Sequence, residues 1–527
     1  EEGRELVRRF VVATSGAGVT TRELRRTANS LVASSARPRN WIVVDSSVAQ
    51  EKVTRMRSLR TAAIVVSRDE LPIPEDAWVV FLRAGDALAS DALETINAFL
   101  DAHPECEFLY GDSHHGKASQ FDEPSEVMRP GWSPERLRSH CYIGSLLCVR
   151  ADVVARCGGV ASLARSHEHD RALRLSEVAR GHERLAHLLY YSDQAHLMPT
   201  ASLDAVREHC ARTSVTADVT IDRGVDVVRV RRIPSTPRAI SVIVPTRGTT
   251  ETIRGRETVL AAHAIETLIA RSTFQNFDVV VVFDADTPTA AREAIIAAGH
   301  GRITPVGYDA EFNFADKVNR GVLASTGEYV LLLNDDTEII TPDALDTLVG
   351  LLEDPGVAMA GPLLLYEDGK IQSAGHVLNP IPYDLYRHRS PDHVGAQNLL
   401  RVQREVSGVI AACALIRRSV FMDVGGMCTK FPSNYNDVDF ALKVQSLGHR
   451  VVWTPHARFY HFESQTRSPL LRSFEVETIG ARWRDKLDDD PYFNPRLERY
   501  VSVWKRNSIG QRSLLDALGP TAPIISK

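Results

Sequence analysis

The sequence predicts an α/β protein built from two tandem copies of one sheet-and-helix unit, and three observations carry that prediction. Short apolar runs ending in carboxylates alternate with segments of helical periodicity, the pattern of parallel strands joined by helical crossovers. The runs recur in the same order in both halves of the chain, which marks an internal repeat. At 527 residues the chain is also too long for one ordinary core.

Arg9 to Gly16 (RFVVATSG) reads as a strand entering a loop, Thr21 to Ser34 as a helix, and Trp41 to Asp45 (WIVVD) as a strand closed by an acid. The same grammar returns in Ile240 to Gly248 (ISVIVPTRG), a helix over Glu257 to Ser272, and Phe277 to Asp284 (FDVVVVFD). Val79 to Asp86 (VVFLRAGD) with the helix DALETINAFLDAHP matches Tyr329 to Asp336 (YVLLLNDD) with DALDTLVGLLEDP. Leu146 to Val160 (LLCVRADVVARCGGV) parallels Cys413 to Met427 (CALIRRSVFMDVGGM), and SHEHDRALRL parallels YNDVDFALKV. Between the copies runs a polar stretch with short β-like pieces and two prolines. The expected division is a first unit over 1–212, a linker over 213–238, a second unit over 239–465 and an ordered, partly helical extension over 466–527. Only LGPTAPIISK reads as a loose tail.

Composition excludes more than it selects. With 44% hydrophobic and 24% charged residues and a formal charge of -5, bulk charge gives no case for a nucleic-acid partner. Seven scattered cysteines without a Cys-x-x-Cys indicate neither a disulfide framework nor a zinc site, and a reducing compartment fits them. No apolar run approaches the ~20 residues of a membrane span, and the first residues lack a basic flank with an apolar core. The expectation is a cytoplasmic protein, at most peripheral at the inner face of the membrane.

The chemistry is concentrated where the run Tyr329–Leu333 stops at Asn334, Asp335 and Asp336. Ligands bind beyond the carboxyl ends of strands in open α/β sheets, and adjacent aspartates there can hold a divalent cation that clamps a phosphate. The plainer reading is a polar turn capping the helix that starts near Pro342 and Asp343. The first copy has Ala84, Gly85 and Asp86 at the same place, so a metal site is expected in the second copy alone.

Asp284 ends a strand of the same sheet, where it can accept from a uracil or thymine N–H, and Thr246 and Arg247 face the same crevice. Lys317 and Asn319 lie on the helix feeding the metal strand, within reach of phosphate or ribose. Capping and a solvated face are the plainer alternatives for these residues. Asp437 opens a helix into a cleft, the placement a general base needs to take a proton from an incoming hydroxyl. Acids at a helix start are also favoured by its dipole. HARFYHFESQTR adds His456, His461, Glu463 and Arg467, of which an imidazole could complete a metal shell and Arg467 pair with phosphate. Trp453 could stack on a sugar or sit in the core.

ISVIVPTRG, the strand ending at Asp284, FNFADKVNRG, LLLNDDTEI, IQSAGH, Gly425-Gly426, YNDVDFALKV and HFESQTR stand in the order seen in glycosyltransferase family 2. The chain resembles its rhamnosyltransferase-like, polysaccharide-assembling members, some of which carry two GT-A domains in tandem. The resemblance is strong over Ile240 to Tyr500 and covers Arg9 to Tyr191 as a degenerate copy.

That resemblance implies two tandem GT-A (nucleotide-diphospho-sugar transferase, Rossmann-like) domains and an inverting transferase that uses Mn²⁺ or Mg²⁺. Asp336 and His461 would bind the metal, Asp335 the ribose or diphosphate, Thr246 and Asp284 the base, and Asp437 would be the catalytic base. Asn436 stands where many relatives have Glu, and with Asp439 and Trp453 it completes the acceptor-binding candidates. Gly248 departs from the acid common after Pro-Thr-Arg, so no contact is assigned to it. The implied partners are a UDP- or dTDP-sugar donor and a glycan, lipid-linked or protein acceptor. Two rival classes are a sugar nucleotidyltransferase, for which TRGTTETIRGR is a thin triphosphate loop, and an inactive glycan-binding scaffold.

Overall fold

The computed structural model describes residues 8–45, 63–67, 72–115, 126–192, 203–222, 224–225, 227–234, 238–462, 472–499 and 503. Their two large sheets are wired alike. The first runs Ala63–Ser67, Asn40–Val44, Arg9–Ser15, Ala77–Phe81, Leu147–Arg150, Phe108–His115, His182–Ser192, Ala87–Leu88. The second runs Ile303–Tyr308, Phe277–Asp284, Ile240–Thr246, Tyr329–Leu333, Cys413–Arg417, Val357–Leu365, Arg450–His461, Thr337–Ile339. In each, the first four strands pair in parallel and the fifth is antiparallel to both of its neighbours. The GT-A expectation thus holds as an α/β fold used twice.

The apolar runs are continuous because both faces of the sheet are covered. Successive residues of Tyr329–Leu333 go to opposite sides: Val330 and Leu332 join one core with Ile243, Val318 and Phe440, while Leu331 and Leu333 join another with Val242, Ile265 and Leu348. Gly321 lets the helix Phe314–Ala324 lie close on the sheet, since a Cβ there would stand 2.4 Å from Ile243 Cγ2.

One element starts later than its sequence suggests. The helix expected from Glu257 begins at Leu260 and runs to Arg271, because Thr250–Ile253 and Arg256–Val259 form an antiparallel hairpin first. Arg254 and Gly255 both take positive φ (48° and 80°), the backbone that a two-residue hairpin turn requires, and the β-branched residues around them suit the strands. The polar stretch between the copies holds a second hairpin, Ala217–Asp222 with Val227–Arg232.

A buried ionic cluster joins the two halves. Glu135, on the helix Pro134–Ser139, pairs with Arg232, with Arg138 at 2.5 Å and with Arg450 at 3.8 Å. Arg450 in turn reaches Glu405 at 2.6 Å and Asp354 at 2.5 Å, and Ser133 donates to Glu405. Three carboxylates face three guanidinium groups, so removing one cation strands buried anions. We expect Arg450→Met to lower unfolding free energy by about 3 kcal/mol, the low end for a broken buried pair because Arg450 is 24% exposed. Urea denaturation checks this, and a loss below about 0.5 kcal/mol would show that the cluster behaves like a surface pair.

The C-terminal residues hold onto both halves. Asp490 accepts from Leu378 N at 2.7 Å, while Asn494 Nδ2 donates to Asp112 at 3.0 Å and to Arg129 O at 2.9 Å. Among the described residues, no helix is long and apolar enough to cross a membrane.

Candidate active site

In the second sheet the strand order reverses between Ile240–Thr246 and Tyr329–Leu333, and a crevice opens beyond the carboxyl ends of those strands. It is a cleft of about 1030 Å³ bordered by Thr246, Arg247, Asp284, Lys317, Asn334, Asp335, Asp336, Asn436, Asp437 and His461. Residues as far apart in the chain as Thr246 and His461 therefore share one space.

The nucleotide side is a connected set of hydrogen bonds. Thr246 Oγ1 accepts from Gly248 N at 2.9 Å and donates to Asp335 Oδ2 at 2.7 Å. Lys317 is 2% exposed, donates to Thr246 O at 3.2 Å and pairs with Asp284 Oδ1 at 2.8 Å. Asn313 caps its helix by accepting from Asp316 N, which fixes the turn on which Lys317 sits. Burial and the neighbouring Asp336 push the Asp335 carboxyl up to about 7. Arg247 stays exposed at the cleft edge.

Asp336 and His461 meet across a strand pairing that sets Thr337 opposite His461. Asp336 Oδ1 stands 3.1 Å from His461 Nε2. Gln372 Oε1 lies 2.7 Å from His461 Nδ1 and accepts its proton, which fixes the ring with Nε2 facing Asp336 and Asn334. A ligating imidazole is oriented in this way. Among the described residues no group of three or more His, Cys, Asp or Glu side chains forms a ready-made cation cage. One carboxylate and one imidazole with open positions fit a cation that takes its remaining ligands from substrate phosphate and water.

On the other wall Asp437 lies in the first turn of the helix Asn436–Ser446. Tyr435, just before it, takes a left-handed backbone (φ 58°) that turns the chain into the helix. That turn is held from the C-terminal helix Ser473–Asp488, whose fully buried Glu475 accepts from Ser433 N at 3.1 Å, Asn434 N at 2.8 Å and Asn434 Nδ2 at 2.9 Å. Among the described residues Asp437 accepts from backbone alone, Val438 N at 2.9 Å and Ala411 N at 3.4 Å. Its carboxylate has no ion-pair partner among the described residues.

Six candidates are not brought to the cleft or fall outside the described residues. Asn319 clamps Met427 through both its amide atoms, accepting from Met427 N at 2.8 Å and donating to Met427 O at 2.9 Å. Asp439 is fully buried against the C-terminal helix, bound by Trp483 Nε1 at 2.8 Å and Arg482 at 3.0 Å. Trp453 is a core residue, 1% exposed beneath the Arg404 guanidinium. Arg467 and Glu463 lie outside the described residues. His456 does not border the cleft either, and burial pushes its pKa down to about 3.

The cleft also holds residues to which no sequence argument gave a role: His376, Tyr383 and Asp384 on its wall, with Gln372 and Glu475 behind it. The signal available for two of them was IQSAGH, which carries both Gln372 and His376.

In the first copy the matching carboxylates are tied up internally. Asp45 pairs with Arg165 at 2.5 Å, Asp86 accepts from Ser145 Oγ at 2.6 Å, and Arg83 makes a two-pronged pair with Glu168. Where the second sheet sets His461 opposite Thr337, the first sets Tyr191 opposite Ala87.

Residues 241–425 match the model of Glycosyl transferase family 2. The chain is 29% identical over 467 residues to the uncharacterized protein y4gI of Sinorhizobium fredii (strain NBRC 101917 / NGR234), covering 82% of this chain and 49% of that protein. It is also 29% identical over 439 residues to the O-antigen biosynthesis protein RfbC of Myxococcus xanthus, covering 80% of this chain and 34% of that protein. The chain thus spans half or less of the length of these relatives. A solved structure of GalNAc-T7 with UDP, GalNAc and Mn²⁺ aligns over 52% of each chain with a TM-score of 0.39 and 13% identity.

Proposed function

From the match of residues 241–425 to the model of glycosyl transferase family 2, we propose that the second copy is an inverting, metal-dependent transferase. It moves a sugar from a UDP- or dTDP-sugar to a hydroxyl of a glycan, lipid-linked or protein acceptor. The observation that carries the reading is one cleft holding a carboxylate–imidazole pair at a strand end and an unpaired carboxylate at a helix start.

In this reading Asp284, steadied by Lys317, accepts the N–H of the pyrimidine ring, while Thr246, Arg247 and Asp335 line the path of ribose and diphosphate. Asp336 and His461 would hold Mn²⁺ or Mg²⁺, which supplies neutralisation of the charge that builds on the departing diphosphate. Asp437 takes the proton of the acceptor hydroxyl as its oxygen bonds to the anomeric carbon. The bond from that carbon to the diphosphate breaks, its electron pair leaves with the phosphate oxygen, and the single displacement inverts the centre. Asn436 lies beside the base on the acceptor side.

The first copy, with its carboxylates consumed internally, acts in this reading as a non-catalytic support. The division at 1–212, 213–238, 239–465 and 466–527 belongs to the same proposal, as does a place on the cytoplasmic side of a membrane where a surface glycan is assembled.

A thermal-shift panel of UDP, dTDP, GDP and their sugars, with and without Mn²⁺, tests the reading. The expected result is stabilisation by one pyrimidine diphosphate that requires the metal, in line with ligand linkage of about 2.7 kcal/mol at a hundredfold excess over Kd. Pyrophosphate release from a nucleoside triphosphate would instead establish a nucleotidyltransferase, and metal-independent or absent binding would leave a scaffold.

A further inference from the structure

Of the cleft carboxylates with no part in the mechanism above, Asp286 and Asp309 are exposed and Asp384 is not. Asp384 lies on the short strand Pro382–Asp384, and its antiparallel partner His376–Leu378 sets His376 directly opposite. Gly375 makes the sharp entry to that strand with φ 85°, and His376 N is anchored on Gly408 O at 2.8 Å. His376 is 6% exposed and the Asp384 side chain 13%. Both border the cleft that Asp437 faces.

The pair is close but not satisfied. Asp384 Oδ1 stands 3.7 Å from His376 Nε2, beyond hydrogen-bond distance, and neither Asp384 Oδ1 nor His376 Nδ1 has a hydrogen-bond partner among the described residues. Buried polar atoms without partners are rare and costly, so this pair beside an open cleft calls for a ligand. Burial pushes the Asp384 carboxyl above the ordinary range, with the charge of Asp437 adding to it, while His376, a Ser373 hydrogen bond and Arg387 act in the opposite direction.

We propose that Asp384, with His376 beside it, is the residue that reads the acceptor. Its carboxylate accepts a hydrogen bond from the hydroxyl next to the one that Asp437 deprotonates, so the accepting unit is an uncharged sugar with adjacent free hydroxyls. This rests on the transferase reading and deepens it. An ionised carboxylate can only accept hydrogen bonds, which suits a hydroxyl. A phosphate at the same place would face the carboxylates of Asp384 and Asp437; of the nearby cations Lys317 is engaged by Asp284 on the nucleotide side, and Arg387, which acts on Asp384, and Arg472 at the cleft make the phosphate probe the necessary control. A site built around a substrate hydroxyl also rejects analogues that lack it far more strongly than an apolar pocket could.

The test uses the full chain, Mn²⁺ and the donor identified by the nucleotide panel, with methyl hexosides and the matching hexose 6-phosphates as acceptor probes and products read by mass spectrometry. Wild type should transfer to at least one uncharged hexoside in preference to its phosphate. Asp384→Ala should raise KM for that hexoside about tenfold more than it raises donor KM. Asp384→Asn keeps an acceptor oxygen without the charge, so it should recover part of the hexoside KM and narrow the preference against phosphate. A purely structural role would not move that preference. Preference for the phosphate, an unchanged hexoside KM in both variants, or donor hydrolysis with no transfer to any hexoside would overturn the proposal. Failure of every nucleoside diphosphate and sugar in the panel to bind the wild type with Mn²⁺ would instead overturn the parent reading and take this one with it.

Discussion

Asp437→Asn should lower transfer about 10²–10⁴-fold, the usual worth of a positioned general base, while donor KM changes by no more than about twofold. The substitution keeps the shape and, with the amide oxygen in the Oδ1 place, the bond from Val438 N at 2.9 Å, losing only the long one from Ala411 N at 3.4 Å, so the helix Asn436–Ser446 should hold its place. What disappears is the ability to take a proton. The effect should fall on kcat because the proton moves only as the acceptor attacks. Steady-state kinetics of transfer, with circular dichroism to establish that the variant is folded, would check it. Activity above about a tenth of wild type would assign the base to another group.

Asp336→Ala should remove metal-dependent nucleotide binding, and with it turnover by about a thousandfold or more, since a cation stabilises developing phosphate charge by several kcal/mol. The carboxylate supplies the anionic half of a two-residue set, with His461 Nε2 only 3.1 Å away. His461→Ala should cost less, because a neutral ligand contributes less to holding a dication than a charged one. Gln372→Ala should weaken metal affinity about 10–100-fold by freeing the ring that it orients from 2.7 Å. Calorimetric titration of Mn²⁺ in the presence of UDP measures all three. A rank order with Gln372→Ala most damaging would place the cation elsewhere.

The sequence was most readable where strands end. Apolar runs closed by Thr246, Asp284 and Asn334 came together at one edge because parallel strands bring their carboxyl ends there. It was least readable within helices. Asp437 and Asp439, like Lys317 and Asn319, are two residues apart, and on a helix that spacing points side chains to different faces. One member of each pair reaches the cleft and the other packs against a neighbouring element, Asp439 on the C-terminal helix and Asn319 on Met427. Trp453 followed the sheet into the core rather than the loop beyond it. Partners such as Gln372 for His461 and Glu475 for the Asn434 turn were out of reach, because no local spacing connects residues that meet only after the sheet has folded. The hairpin over Thr250–Val259 is masked in the sequence because a helical pattern follows it directly and its turn depends on positive φ at Arg254, a residue type seldom found there.

The central claim is that a metal at Asp336 and a base at Asp437 act on one nucleotide-sugar in the second domain. Release of nucleoside diphosphate from the panel's best donor, with and without Mn²⁺, on wild type, Asp336→Ala and Asp437→Asn, tests it most directly. The account predicts release by the wild type that chelation abolishes and restored Mn²⁺ recovers, with both variants failing and only Asp437→Asn still binding the donor. Release that ignores Mn²⁺, or that persists in both variants, would contradict it.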